Sequence, residues 1–247
     1  MKQLWGLARL VLTAVVLGTG VLIVLVAGLL PLRIRRRRPA AWVAMGMARL
    51  FNRLYNIQVV CPAPTTLRHH RGFIFPNHLS FLDVVVLQSL MPTRFLSMAA
   101  VRNYPLIGWL AVAIGTIFVV REDDQSRRQA RDAIVQSYQQ EADPPIVLFP
   151  EGKLGPGDRL LPFRHGAFEM AVEHGIAFVP CVLKYTPLAV ALWRSGTIVG
   201  AVWQLAQMQT PLRVEVTPLA VVQPQPGDDP VVLAQATQQA MEKAFGS

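Results

Sequence analysis

The sequence predicts an α/β fold with a mostly parallel central sheet of about seven strands, covered by helices on both faces and preceded by an N-terminal membrane-associated helical segment. After residue 56, short runs of β-branched and aromatic residues alternate with helical patterns. Polar side chains follow several of these runs, at the strand ends where parallel sheets bind their ligands. A long uncharged run precedes all of them.

Hydrophobic periodicity places the individual elements. Runs of strand length predict seven strands, at residues 57–60, 72–75, 94–97, 116–120, 146–149, 178–183 and 213–217. Helical spacing of apolar residues predicts five helices, at residues 82–90, 106–113, 126–140, 166–174 and 230–245. Because strands and helices alternate instead of forming separate blocks, most of the sheet is expected to be parallel.

The N-terminus predicts membrane attachment. The 23 residues from Leu10 to Leu32 carry no charge and are long enough for a helix to span a bilayer. Arginines follow at positions 33 and 35–38, without a small-residue cleavage site, so a retained anchor is predicted. The positive-inside rule places the following chain in the cytoplasm, at the inner membrane, and the arginines are expected to attract anionic lipid head groups. Pro31 leaves open whether the helix crosses the bilayer or dips in and returns.

A second, amphipathic helix is predicted over residues 40–56. Its apolar face comprises Val43, Met47, Leu50, Phe51 and Leu54, and its polar face comprises Arg49, Asn52, Arg53 and Asn56. Trp42 and Tyr55 are candidates for head-group depth, and an ordinary helix packed on the core is the alternative. The chain is thus divided into membrane-anchoring helices at residues 1–56 and an α/β domain at residues 57–247.

The charge pattern argues against nucleic acid as a partner. Five of the 24 basic residues lie in the arginine block, and the others are scattered without interleaved aromatics. A membrane surface and an anionic substrate explain the net charge of +9 better. Cys61 and Cys181 lack metal-ligand spacing. His69 and His70 would point to opposite sides of an extended segment, so no metal site is predicted.

The most informative stretch runs from Asn77 to Asp83, directly after a predicted strand. A carboxylate that accepts a hydrogen bond from one nitrogen of a histidine fixes its tautomer, so the other nitrogen can accept a proton. The five-residue spacing of His78 and Asp83 suits such a pair, which activates a hydroxyl without a nucleophile from the protein. Ser80 is expected to cap the following helix.

Three further positions lie in or directly after predicted strands. Arg121 ends the fourth strand, Glu151-Gly152 follows the fifth, and Pro180 lies in the sixth. Each has a plain interpretation: Arg121 could pair with its acidic neighbours, Glu151 could cap a turn or helix, and Pro180 could mark a sheet edge or a bulge. Together with His78, however, these positions converge at the strand ends of one sheet.

In order, these motifs resemble those of the glycerolipid acyltransferases. They read Asn77-His78-x4-Asp83, Gly115-x-x-Phe118-x-x-Arg121, Phe149-Pro150-Glu151-Gly152 and Val179-Pro180. The similarity extends over residues 57–220 and is greatest to the bacterial PlsC-like 1-acylglycerol-3-phosphate acyltransferase branch. In that branch, a segment similar to Leu161-Pro162-Phe163-Arg164 precedes Gly-Ala-Phe, which stands at residues 166–168 here.

The resemblance implies transfer of a fatty acyl group from acyl-CoA or acyl-carrier protein to a lysolipid hydroxyl, without a cofactor or metal. The default acceptor is 1-acyl-sn-glycerol-3-phosphate, which gives phosphatidic acid. His78 is then the general base and Asp83 orients it. Arg121 is expected to grip the acceptor phosphate, and the remaining substrate-binding residues are expected to be Asn77, Glu151, Gly152 and Lys153. Backbone amides at residues 77–80 are candidate oxyanion donors.

One departure from the family pattern keeps the acceptor open. Lys153-Leu154 stands where the family commonly has threonine and arginine, although Lys153, Arg159 or Arg164 could supply positive charge. A lyso-aminolipid or another lysophospholipid is therefore an alternative acceptor. A non-catalytic membrane-surface binding protein and a hydrolase that uses water are the alternatives of a different class.

Overall fold

A seven-stranded sheet lies at the centre of the computed structural model, which describes residues 2–28, 33–34, 37–119, 124–192 and 197–246. Its strands are β1 (Ile57–Val60), β2 (Phe73–Pro76), β3 (Arg94–Met98), β4 (Ile117–Val119), β5 (Ile146–Val147), β6 (Phe178–Thr186) and β7 (Leu212–Pro218). All seven coincide with predicted strands to within a few residues at their ends.

The strands are ordered β1-β7-β6-β2-β5-β3-β4. Five neighbours, from β6 to β4, are parallel to one another, whereas β7 is antiparallel to β6 and carries β1 parallel to itself. The predicted α/β class with a mostly parallel sheet is confirmed. Pro180 lies within β6, between β2 and β7, so its interpretation as an edge marker is wrong.

Helices cover both faces of the sheet. They are α1 (Lys2–Gly28), α2 (Pro39–Leu54), α3 (Pro64–His69), α4 (Leu82–Leu90), α5 (Ile107–Ala113), α6 (Asp124–Gln140), α7 (Gly166–Glu173), α8 (Leu188–Ala191), α9 (Ile198–Ala206) and α10 (Pro230–Gly246). Side chains of β2 alternate between the faces: Ile74 packs in one core with α4, and Phe73 and Phe75 pack in the other with α6, α7 and α10. Both faces of this central strand are therefore buried.

One stripe of α1 packs against the rest of the protein. Gly6, Thr13, Gly20 and Ala27 recur every seven residues and are all buried. A Cβ atom on Gly20 would lie 2.3 Å from the sulfur of Met47, so the small residue allows α1 and α2 to approach closely. The packing stripe runs along nearly the full length of α1 rather than along one end.

Polar contacts reinforce this packing. The Arg9 guanidinium donates to the carbonyls of Ala206 and Met208 at the end of α9, at 3.0 and 2.7 Å. Thr13 Oγ1 and Tyr55 Oη lie 2.7 Å apart, and Tyr55 is 1% exposed. The prediction that Tyr55 lies at head-group depth is therefore wrong, because its ring is buried between the helices.

The remaining surface of α1 is apolar and exposed. Its large exposed side chains include Leu4, Trp5, Leu22 and Val26. Among the described residues, α1 contains the one helix that is long and apolar enough to cross a membrane, Gln3–Ala27, with a mean hydropathy of 2.8. The predicted apolar N-terminal helix is present, although it also packs on the α/β domain.

The face that α2 buries differs from the predicted one. Its buried residues are Ala40, Ala41, Ala44, Met45, Ala48 and Asn52. Asn52 was assigned to the polar face but is buried, whereas Leu50 was assigned to the apolar face but is 40% exposed. The small alanines let α2 pack closely on its neighbours. The buried face is therefore the one with the small residues and not the one with the large apolar side chains.

Two arginines of the predicted basic block are engaged by acidic residues. Arg33 pairs with Glu141 at 2.6 Å, and the buried Arg37 pairs with Asp143 at 2.6 Å. Residues 35 and 36 of the block lie outside the described residues. The described block therefore fastens the segment between α1 and α2 onto the α/β domain as well as adding charge.

Candidate active site

The turn between β2 and α4 is fixed to the neighbouring strand by Asn77. This buried side chain donates to the carbonyl of Leu183 at 3.0 Å and accepts from the amide of Leu183 at 2.7 Å. Leu183 belongs to β6, so Asn77 extends the β2–β6 pairing just beyond the end of β2. The predicted substrate-binding residue Asn77 is thus saturated by the backbone and positions the turn.

Asp83 organises the turn that follows. Its Oδ2 atom receives the Nδ1–H of His78 at 2.8 Å and the amides of Leu79 and Ser80 at 2.7 and 2.9 Å. The carboxylate is fully buried in the first turn of α4, where the helix dipole favours negative charge. Because Oδ2 acts as an acceptor for all three groups, the Nδ1 atom of His78 carries the proton and Nε2 is left with a lone pair.

The His78 ring is held but not enclosed. It stacks on Phe149 with the ring centroids 3.9 Å apart and the planes 18° from parallel. Its side chain remains 22% exposed, and no described residue hydrogen-bonds its Nε2 atom. A hydroxyl that reaches the site can therefore meet the basic nitrogen directly.

Tyr185 is a member of this network that the sequence motifs do not reveal. Its hydroxyl donates to Asp83 Oδ1 at 2.6 Å from β6. Burial and the negative charge of Asp83 raise the pKa of Tyr185 well above its usual value, so the phenol remains a donor. The only available signal was a tyrosine in a buried strand, whose hydroxyl needs a partner.

Glu151 joins the loop at residues 150–164 to the turn at residues 77–83. Its Oε1 accepts the amide of His78 at 2.8 Å, and its Oε2 accepts the amide of Leu161 at 3.0 Å. Burial raises the pKa of this carboxyl, while the two amide hydrogen bonds oppose the rise. The amide of Gly155 in turn donates to the carbonyl of His78 at 2.6 Å. Glu151 is thus placed to shape the loop, and both backbone groups of His78 are fixed.

Glycines allow the loop to come this close. Gly152 has φ +69°, and a Cβ atom there would lie 2.7 Å from Nε of Arg164. A Cβ atom on Gly155 would lie 2.9 Å from Glu151 Oε2. Arg164 therefore lies against the Glu151-Gly152 turn, and the exposed Lys153 follows directly.

The other predicted positions vary in outcome. Arg121, the predicted phosphate-binding residue, lies outside the described residues. Arg159 is 72% exposed and lies 3.5 Å from Asp158. Ser80 Oγ accepts the amide of Leu82 at 3.3 Å, a cap-like contact at the start of α4. The amides of His78, Leu79 and Ser80, candidate oxyanion donors, all donate to the Asp83 or Glu151 carboxylates.

The described residues contain no group of three or more histidine, cysteine, aspartate or glutamate side chains that could hold a metal ion. The His70 ring is buried, and its Nε2 lies 2.8 Å from the carbonyl of Phe73. Burial lowers the pKa of His70 because the charged form loses its hydration. This histidine stabilises the start of β2.

An apolar cavity of about 140 Å³ lies beside the same helix as Asp83. It is enclosed by α1, α2, α4 and α5, with Leu17, Phe51, Val84 and Leu110 among its lining residues. Val84 follows Asp83 directly in α4, so the cavity and the polar site share this helix. Its lining suits a hydrocarbon chain better than a polar ligand.

A family model described as Acyltransferase matches residues 58–184 and includes every described residue of the site except Tyr185 in β6. The chain belongs to the acyltransferase family. The match begins in β1 and ends at Lys184, immediately before Tyr185. Tyr185 therefore lies just beyond the matched region, although it contacts Asp83 within it.

Curated relatives of this acyltransferase-family chain differ in acceptor. The chain is 26% identical over 151 residues to a 1-acyl-sn-glycerol-3-phosphate acyltransferase of Neisseria gonorrhoeae, and the match covers 61% of this chain and 57% of the relative. It is 36% identical over 109 residues to a lyso-ornithine lipid O-acyltransferase of Pseudomonas aeruginosa, covering 44% and 41%. The matches thus span about two to three fifths of these relatives' lengths.

The fold is also that of a solved structure. The crystal structure of the 1-acyl-sn-glycerophosphate (LPA) acyltransferase PlsC from Thermotoga maritima superposes with a TM-score of 0.74 at 17% identity. The superposition covers 100% of this chain and 97% of that one, including the N-terminal helices. The PlsC-like fold predicted from the motifs is therefore confirmed.

Proposed function

We propose that the protein transfers a fatty acyl group from acyl-CoA or acyl-carrier protein to the free hydroxyl of a lysolipid. The accessible Nε2 of His78, with Nδ1 held by a fully buried Asp83, is the observation that carries this proposal. A base oriented in this way suits direct attack by a substrate hydroxyl, since Ser80 in the same turn is fully buried at the start of α4.

The reaction then needs one proton carrier. His78 Nε2 accepts the hydroxyl proton as the substrate oxygen attacks the thioester carbonyl, and Asp83 stabilises the resulting imidazolium. Collapse of the tetrahedral intermediate breaks the carbon–sulfur bond, and the imidazolium returns the proton to the leaving thiolate. The products are the acylated lipid and the free thiol of the carrier.

We propose 1-acyl-sn-glycerol-3-phosphate as the acceptor, which gives phosphatidic acid. The Neisseria relative supports this choice, as do the positive charges of Lys153 and Arg164 beside the Glu151-Gly152 turn. Arg121 keeps its proposed role as a phosphate-binding residue. A lyso-ornithine lipid is the second candidate, because the Pseudomonas relative is 36% identical and Lys153-Leu154 replaces the threonine and arginine common in the family.

Membrane attachment through α1 is part of the proposal. Because α1 packs on the α/β domain along its length and exposes an apolar surface, we propose that it lies in the plane of the cytoplasmic leaflet of the inner membrane. In right-side-out vesicles, Gln3→Cys should resist a membrane-impermeant maleimide. Labelling from the outer side would instead support a helix that spans the bilayer.

An acceptor panel tests the proposed reaction. Purified protein in neutral detergent is given acyl-CoA or acyl-carrier protein with lysophosphatidate, lyso-ornithine lipid and neutral lysophospholipids, and products are measured by mass spectrometry. Acylation of lysophosphatidate above the other acceptors supports the first candidate. Free fatty acid released without lysolipid would indicate a hydrolase, and the absence of any product would favour a binding protein.

A further inference from the structure

A second cavity, of about 610 Å³, opens at the other end of β2 from His78. Three arginines from different elements line it: Arg49 from α2, Arg68 from α3, and Arg71 from the segment that leads into β2. We call this cavity the arginine pocket. Its other lining residues are Arg37, Trp42, Met45, His69, Leu90, Met91 and Asp143.

Two of the arginines are held in place by one partner each. Arg49 Nε donates to the carbonyl of Ser89 at 2.9 Å, and Arg68 Nε donates to the carbonyl of Leu90 at 3.4 Å. These carbonyls belong to the last turn of α4, where the helix dipole favours positive charge. Capping of α4 explains one N–H group of each arginine, but the terminal Nη groups have no hydrogen-bond partner among the described residues.

The positive charge in the pocket exceeds the negative charge. Asp143 is engaged by Arg37, whose Nε and Nη2 atoms lie 2.7 and 2.6 Å from its Oδ1. No carboxylate of the described residues lies within ion-pair distance of Arg49, Arg68 or Arg71. Three guanidinium groups are therefore available to an anion, and planar guanidinium groups suit the oxygens of phosphate.

The arginine pocket is separate from the acceptor site. Arg71 precedes β2 and His78 follows it, so the two lie at opposite ends of one strand, roughly 20 Å apart at the rise of an extended chain. A lysolipid whose hydroxyl meets His78 cannot place its phosphate at that distance, because only a three-carbon backbone separates the two groups.

We propose that the arginine pocket binds a phosphate group, and its position favours the head group of an anionic phospholipid as the source. The pocket contains Trp42 and Met45 from the first turns of α2, which follows the apolar α1 after a short connection. The apolar walls suit the glycerol backbone of a lipid beside its phosphate. The anionic head groups then bind to Arg49, Arg68 and Arg71. Arg33 and Arg37 are already paired with carboxylates.

Vesicle binding by the full-length protein tests this site. The ratio of its affinities for phosphatidylcholine vesicles with and without phosphatidylglycerol isolates the anionic contribution from insertion of α1. R49Q/R68Q/R71Q should lower this ratio about a hundredfold, since each arginine near an anionic surface contributes about fivefold. R71Q alone should lower it about fivefold, and its side chain caps no helix, so loss of folding is not expected.

A matched control removes three positive charges elsewhere. R53Q/R128Q/K243Q changes exposed residues outside the arginine pocket and should leave the ratio nearly unchanged. Acylation of lysolipid in neutral detergent micelles should be the same for R71Q and wild type, which separates this site from the proposed reaction.

A soluble arm distinguishes the two sources of phosphate. Inorganic phosphate and glycerol phosphate are titrated into the detergent-purified protein, and the shift in the midpoint of thermal unfolding is compared between wild type and R71Q. Loss of the vesicle preference in the pocket variants supports a lipid head group. A vesicle preference that persists, with a phosphate-induced shift lost in R71Q, supports the site with a soluble ligand. If neither measurement separates the pocket variants from the control, the proposal is overturned.

Discussion

The candidate active site has two walls, the turn at residues 77–83 and the loop at residues 150–164, and different contacts hold them in place. In the turn at residues 77–83, Asp83 accepts hydrogen bonds from the His78 ring and from the amides of the next two residues. The loop at residues 150–164 is held by hydrogen bonds of its own, from Leu161 to Glu151 and from Arg164 to Pro150, and by two hydrogen bonds to the backbone of His78. The first wall is organised by Asp83 and is tied to β6 by Asn77 and Tyr185, and the second wall is tied to the first through Glu151 and Gly155.

This difference separates chemistry from acceptor choice. The first wall presents the base, and the hydrogen bond that orients His78 is made by Asp83 within the same seven residues. The second wall carries the exposed Lys153 and the neighbouring Arg164, which can change without altering how Asp83 holds His78. A family that keeps one reaction and varies its acceptor would be expected to vary the second wall.

Removal of the base should give the largest effect. His78→Ala leaves no group to accept the hydroxyl proton, so kcat should fall by about 10²- to 10⁴-fold. The lysolipid assay measures this loss, and circular dichroism checks the fold. His165→Ala, at an exposed histidine near the loop, is the matched control and should keep nearly full activity. Full activity in the His78 variant would show that the first wall does not supply the base.

Breaking the link between the walls should give the second largest effect. Glu151→Ala leaves the half-buried amides of His78 and Leu161 without acceptors, each at a cost of about 1 kcal/mol in the free energy of unfolding. Chemical denaturation measures the loss. Activity should also fall, because the loop is no longer held against His78.

The dependence on pH gives this prediction a second test. Burial raises the pKa of Glu151 in the folded state, so its contribution to stability is full below the ordinary value of 4.5 and is lost as pH rises through the folded-state pKa. The stability difference between wild type and Glu151→Ala should therefore shrink from acidic to neutral pH. Glu173→Ala, at a 74% exposed carboxylate, should show neither the loss nor this trend. A difference that grows with pH would contradict the assigned direction.

Elements set by local pattern could be predicted from the sequence. The seven strands follow from short apolar runs, and helix α4 was predicted with both ends correct. The buried face of α2 was not predictable from side-chain size, because alanines and Asn52 pack inward where the helices come close. Helix α9 was not predicted; its Leu205 is buried and its Val199 is 70% exposed, so the helix has a packed side and an exposed side.

The site shows the same division. The His78–Asp83 hydrogen bond could be expected from a spacing of five residues, and it is present. The bonds of Glu151 to His78 and of Asn77 to Leu183 join residues 73 and 106 positions apart, so they depend on the register of the sheet and not on a motif. The amide of His78 is engaged by Glu151 through such a long-range contact, whereas the amides of Leu79 and Ser80 are engaged locally by Asp83, so three of the candidate oxyanion donors already have acceptors.

Tyr185 offers the finest test of the comparison, because it supports the first wall from a distant strand. Tyr185→Phe removes the hydrogen bond to Asp83 Oδ1 but keeps the ring and its packing. Hydrogen bonds to charged groups contribute about 1.5–3 kcal/mol, so kcat should fall severalfold to about tenfold as His78 is held less firmly. KM should not change, because Tyr185 is a positioning residue. Tyr138→Phe, in α6 on the opposite face of the sheet, is the matched control. If kcat is unchanged in Tyr185→Phe, the turn at residues 77–83 orients its base without help from β6.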